Sequence, residues 1–271
     1  MIAVVLLGLA SGPAWASPSW PTDDQWHAVT VFSGAGSYVD AVLLSGNPHG
    51  DVYATPPSDS RDLVGGTDYS GAGPYPTAYW YFDGENIMFR IRVDGSPYND
   101  PFVWSALLNT DADNDTDFAL QLDISSSANQ VEMAVAVSGG PANGWDVLLA
   151  DEPHVPPGTG DPSTDFYRWM SATAIDGSDF SGPDDEDYFL DFAFPYATFL
   201  SVTGQNPGDP FSVAFTTSSS HVTPNKDLPD YTVWSDPITV PEPSSAALLS
   251  LGLLTIAWRK VRRGADPSAG A

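Results

Sequence analysis

Residues 86–94, Asn-Ile-Met-Phe-Arg-Ile-Arg-Val-Asp, alternate without a break. Ile87, Phe89, Ile91 and Val93 share one face, and Met88, Arg90 and Arg92 share the other, which is the period of a β-strand. The run Ala78–Phe82 precedes it across Asp83-Gly84, a hairpin signal. The same alternation returns at Phe118, Leu120, Leu122 and Ile124, at Val131, Met133, Val135 and Val137, and at Tyr188, Leu190, Phe192 and Phe194. Further strands are predicted at 26–33, 102–108, 144–150, 166–175, 211–218 and 231–238. Short alternating strands parted by Gly, Pro, Asp and Ser predict an all-β chain, an antiparallel β-sandwich or jelly roll. One or two helical turns are predicted at 196–200, just after Pro195. The Pro/Gly-rich stretches 45–77, 152–164 and 203–210 read as long loops on that one sandwich.

Both ends carry addresses. Met1–Ala10 is an apolar run followed by Ala14-Trp15-Ala16, an A-x-A box, so residues 1–16 are predicted as a signal peptide. Signal peptidase would recognise Ala14 and Ala16 and leave Ser17 as the first mature residue. At the other end Pro241-Glu242-Pro243 leads into the uncharged run Ala246–Trp258, then into Arg259, Lys260, Arg262 and Arg263. As a helix those 13 residues reach about 20 Å at about 1.5 Å each. That is short of a hydrocarbon core near 30 Å, but bilayer thinning and snorkelling bases bridge the rest. A short transmembrane helix is therefore predicted, with the basic cluster and the tail 264–271 held in the cytoplasm.

Pro-Glu-Pro, a short hydrophobic segment and a terminal basic cluster resemble the PEP-CTERM sorting signal of Gram-negative bacteria, over residues 240–263. The resemblance implies processing by an exosortase, an integral-membrane cysteine protease thought to cleave near Pro-Glu-Pro. It further implies an inner-membrane-anchored precursor destined for the cell surface or the extracellular matrix of a biofilm-forming host. The order of elements between roughly residues 20 and 236 also resembles the β-sandwiches related to family nine carbohydrate-binding modules. That second resemblance rests on Tyr79-Trp80-Tyr81, Leu107–Asp111, Asp187–Phe192 and Phe215–Ser218, and implies the fold more than a ligand.

Without both ends, the predicted domain 17–239 keeps five bases (Arg61, Arg90, Arg92, Arg168, Lys226) against 33 acids. Such a charge excludes nucleic acid, whose phosphates need clustered Lys and Arg, and keeps an exported protein soluble. The absence of Cys excludes disulfides, thiolate metal sites and a thiol nucleophile.

Three groups of residues are candidates for chemistry. Asp111, Asp113, Asp115 and Asp117 alternate in one tight loop, the opening spacing of Ca²⁺ loops. It departs from the EF-hand, with Thr116 for the turn glycine and Leu122 for the bidentate Glu. A structural Ca²⁺ site and a solvated acidic hairpin both remain open. The acidic run 176–187 reads mainly as a solvated turn, with a second cation site as the alternative. Trp80 and Tyr81, with Arg90 and Arg92, form a candidate glycan-binding face, since aromatic faces stack on sugar rings. Hairpin cross-strand pairs and ordinary salt bridges are the competing readings. His27, His49, His154 and His221 are scattered, and no hydrolase or phosphate-binding motif occurs. The expectation is therefore a surface or matrix protein, not an enzyme, possible partners being signal peptidase, an exosortase and extracellular polysaccharide. The alternative is a secreted carbohydrate-active enzyme such as a glycosidase, marked by two carboxyls roughly 5–10 Å apart in a cleft.

Overall fold

Alternation at residues 86–94 becomes β5 (Asn86–Val93), the middle strand of a five-stranded sheet. The computed structural model of the chain describes residues 16–33, 37–40, 63–66, 68, 70–97, 102–113, 116–124, 130–136, 145–146, 165–180, 186–218 and 234–241. The other elements are β1 (His27–Ala28), β2 (Thr30–Ser33), β3 (Ser37–Asp40), β4 (Ala78–Phe82), β6 (Val103–Asn109), β7 (Phe118–Asp123) and β8 (Gln130–Ala136). They are followed by β9 (Trp145–Asp146), β10 (Tyr167–Ser171), α1 (Ala172–Asp176), β11 (Tyr188–Pro195), α2 (Tyr196–Thr203) and β12 (Ser212–Ser218). Two five-stranded sheets form, in the orders β1-β4-β5-β11-β10 and β12-β6-β7-β8-β9, and every pairing is antiparallel.

The strand faces are those the alternation predicts. Phe89 of β5 sits beside Phe192 of β11 and meets Phe215 of β12 edge-on, with ring centroids 5.8 Å apart, so these residues join the two sheets. Ile87, Ile91, Leu190, Leu120, Leu122, Met133 and Trp104 complete the same core. Each such side chain contributes roughly 1.5–3 kcal/mol by leaving water.

Four segments differ from the prediction. The stretch 26–33 divides at Val29 into β1, in the first sheet, and β2, which pairs with β3. The stretch 166–175 turns helical after Ser171, whose side chain accepts the Ala174 N–H as an N-cap; Gly177, with φ +78°, closes the turn. The predicted loop 45–77 includes bridges from Leu63 to Val93 and from Gly66 to Tyr75. Of the strand predicted at 231–238, Ser235 and Ile238 lie along β12: Ser235 N–H donates to Val213 O and Ile238 pairs with Phe211. The helical turns at Pro195 are present as α2. No helix among the described residues is long and apolar enough to cross a membrane; residues 1–15 and 242–271, with the predicted signal peptide and transmembrane helix, lie outside them.

Candidate functional site

The acidic loop connects β6 to β7. Asn109 Oδ1 accepts the Ala112 N–H at 2.8 Å, and Asp111 Oδ1 accepts that of Asp113 at 3.1 Å. Asp117 Oδ2 takes both the N–H and the hydroxyl of Thr110 at 2.7 Å. Ala112 is left-handed at φ +64°, a rare conformation for a residue with a side chain. The tight turn brings one carboxylate oxygen each from Asp111, Asp113 and Asp117 within 4.8 Å of one another. The Asp113 N–H works to lower the Asp111 pKa, but partial desolvation and the charges of Asp117 and Asp113 leave it above the usual carboxylate value. Hard oxygen donors so grouped suit Ca²⁺ better than a soft metal. Asp115 lies outside the described residues.

The candidate glycan residues do not make one face. Trp80 pairs with Phe89 and stands on the core side of the first sheet, 5.1 Å from the His27 ring. Tyr81 points the opposite way, edge-on to Trp26. Arg90 and Arg92, although on the outer side of β5, are 2% and 0% exposed. Their guanidiniums are engaged in ion pairs with Asp23, Asp191 and Asp176.

That outer side is a covered polar layer. Arg90 makes a two-pronged pair with Asp191, Nε to Oδ1 at 2.7 Å and Nη2 to Oδ2 at 2.9 Å, and reaches Asp23 at 2.8 Å. Arg168 holds the same Asp191 at 2.8 Å. Burial alone would lower the Arg90 pKa, but Asp191 and Asp23 hold it above the ordinary value. Arg92 pairs with Asp176 at 2.7 Å and donates to Ser178. Burial pushes the Asp176 carboxyl up, yet Arg92 and Ser178 bring it below the usual range. The Phe189 ring lies between the two cations, 4.4 Å from Arg90 Cζ and 4.5 Å from Arg92 Cζ, while Trp26 and Trp20 cover Arg90 and Arg168.

Asp187, read from sequence as part of a solvated acidic turn, is fully buried. Its carboxyl accepts the Phe180 N–H, and its backbone N–H donates to Thr173 Oγ1. Burial raises its pKa to about 7; the Phe180 N–H, Ser178 and Arg92 oppose the rise and the charge of Asp94 adds to it. Asp94 follows Val93, the partner of Tyr188, so antiparallel register sets the two acids opposite each other. Neither strand pattern nor composition distinguishes Asp187 from its acidic neighbours; only that register does.

Ala16 and Ser17 are exposed and Pro18 is buried, while Ser19 N–H donates to Asp83 Oδ2 at 2.8 Å. At the C-terminal side Val240 is 0% exposed within the core and Pro241 is exposed. Ala14, Glu242, Pro243, Arg259, Lys260, Arg262 and Arg263 lie outside the described residues.

The PEP-CTERM protein-sorting motif matches residues 239–263. No curated protein and no solved structure matches the chain. The motif marks an exported protein whose membrane-anchored precursor is processed by an exosortase for sorting to the cell surface.

Proposed function

We propose that the chain is a cell-surface or matrix component, delivered as a folded β-sandwich and acting there as a structural or binding element and not as a catalyst. The observation that carries this is the sorting motif at residues 239–263, which begins beside a β-sandwich whose core includes Val240. The exposed Ala16-Ser17 pair just before buried Pro18 supports signal-peptidase cleavage between them. A body of five bases and 33 acids suits an aqueous polysaccharide matrix, where divalent cations bridge anionic surfaces. Replacing Pro241, Glu242 and Pro243 together by alanine tests the sorting step. The full-length form should then accumulate in the membrane fraction; unchanged delivery would contradict the reading.

The Asp111, Asp113 and Asp117 cluster supports Ca²⁺ as a structural ion of this sandwich. Calcium titration of the full chain, followed by thermal melting, tests it. At a hundredfold excess over Kd an ion bound only to the folded state stabilises by about 2.7 kcal/mol. No melting shift at millimolar calcium would leave the loop as a solvated acidic turn.

A further inference from the structure

We infer that Met170 is the site at which peroxide oxidises this domain, and that Arg90 binds the sulfoxide oxygen so formed. The inference goes beyond the sorted reading and stands without it.

The chain has no cysteine, so its sulfur lies in four methionines. Met1 falls in the predicted signal peptide, which leaves Met88, Met133 and Met170. Met88 is 0% and Met133 2% exposed, and both belong to the main hydrophobic core. An oxidant reaches them only when the fold opens locally. Met170 is half-buried, on β10, the end strand of the first sheet.

Register brings the Met170 sulfur to a cation. Strands β5, β11 and β10 lie side by side, and two rows cross them: Arg90, Asp191 and Arg168 in one, Arg92, Phe189 and Met170 in the other. From its own row Arg90 reaches over to the second, and its Nη2 donates to Met170 Sδ at 3.3 Å. Its other bonds all go to charged oxygens: Nε and Nη2 donate to Asp191, and Nη1 donates to Asp23. A thioether is a weak acceptor by comparison. Arg90 is 2% exposed, so water does little to supplement it. One donor of a buried cation therefore has a poor partner.

Oxidation supplies a better one. A lone pair on Sδ attacks one oxygen of hydrogen peroxide, and the S–O bond forms as the O–O bond breaks. The proton on the transferred oxygen passes to the departing hydroxide, which leaves as water. Sulfur gives up two electrons and peroxide takes them. The new oxygen carries partial negative charge and meets a charged donor that already faces the sulfur, the stronger class of hydrogen bond. The same conversion at Met88 or Met133 would set a polar group in the apolar core. Met170 is thus both the sulfur that an oxidant meets first and the one whose product the fold accommodates.

Peroxide treatment of the folded full chain, followed by peptide mass mapping, tests the site. One added oxygen should appear in the peptide holding Met170 several-fold faster than in those holding Met88 and Met133. Thermal melting tests the Arg90 contact. The oxidised wild type should melt no lower than the reduced form. In Asp191→Asn, where Arg90 has lost its main acceptor, oxidation should raise Tm, and adding Met170→Leu to that variant should abolish the rise. Equal oxidation rates at Met88, Met133 and Met170 would overturn the inference. So would an oxidised wild type that melts several degrees below the reduced form, or an Asp191→Asn chain that gains nothing from oxidation.

Discussion

Replacing Asp191 by asparagine should destabilise the domain more than any exposed charge change. Asp191 is fully buried and holds three short bonds from two arginines, two from Arg90 Nε and Nη2 and one from Arg168 Nε. Once it is neutral, the one carboxylate left to Arg90 among the described residues is Asp23, whose side chain is 49% exposed and screened by water. Breaking a buried pair by removing one partner costs about 3–5 kcal/mol, because the surviving charge stays desolvated. For a domain of this size each kcal/mol is worth roughly 2–4 °C, so Tm should fall by roughly 6–20 °C. The assay is thermal and urea unfolding of the full chain, alongside the double variant Arg90→Met with Asp191→Leu. Because that variant removes both charges at similar volume, it should recover most of the loss. A cost below about 1 kcal/mol for Asp191→Asn, or a double variant no better than the single, would refute the reasoning.

Asp187 supplies a pH test. Its pKa is raised from 3.8 to about 7 on folding, so the folded state holds the proton more tightly. The resulting stability is fully present below about pH 4 and is lost as pH rises through 7, with roughly 4 kcal/mol at stake. Subtracting the unfolding curve of Asp187→Asn from that of wild type should show this slope, and a pH-independent difference would contradict it. Gly65→Ala should cost about 1–3 kcal/mol in urea unfolding, because its Cβ would lie 1.8 Å from Thr77 Oγ1, itself buried. Without calcium, Asp113→Asn should raise Tm slightly by easing repulsion with Asp111 and Asp117; with calcium it should remove any shift the ion produces.

The strands were legible because one face of each packs between the sheets and is apolar while the other carries polar or charged residues, which gives β5, β7, β8 and β11 their period of two. Harder to read was a second burial, on the outer side of the first sheet. All eight residues of β5 are buried, yet the sequence places Arg90 and Arg92 only on the polar face of a strand, with salt bridges or a glycan as alternatives, because their partners are remote. Asp191 lies 101 residues from Arg90, and Asp176 lies 84 from Arg92. Local pattern carries no information at such separations. The five-residue helix α1 escaped notice within a strand prediction, although Ser171 and Gly177 flank it as cap and stop. By contrast the sorting signal is legible in full from composition and order, since its three parts follow one another in residues 240–263.

The most direct test of the account is to express the full chain in otherwise matched hosts with and without an exosortase, and to separate inner membrane, surface and medium. With the protease, a shortened form should leave the inner membrane for the surface or medium. Without it, a form retaining Arg259–Arg263 should remain in the inner membrane. Identical size and distribution in the two hosts would contradict the central claim that this sandwich is exosortase-sorted cargo.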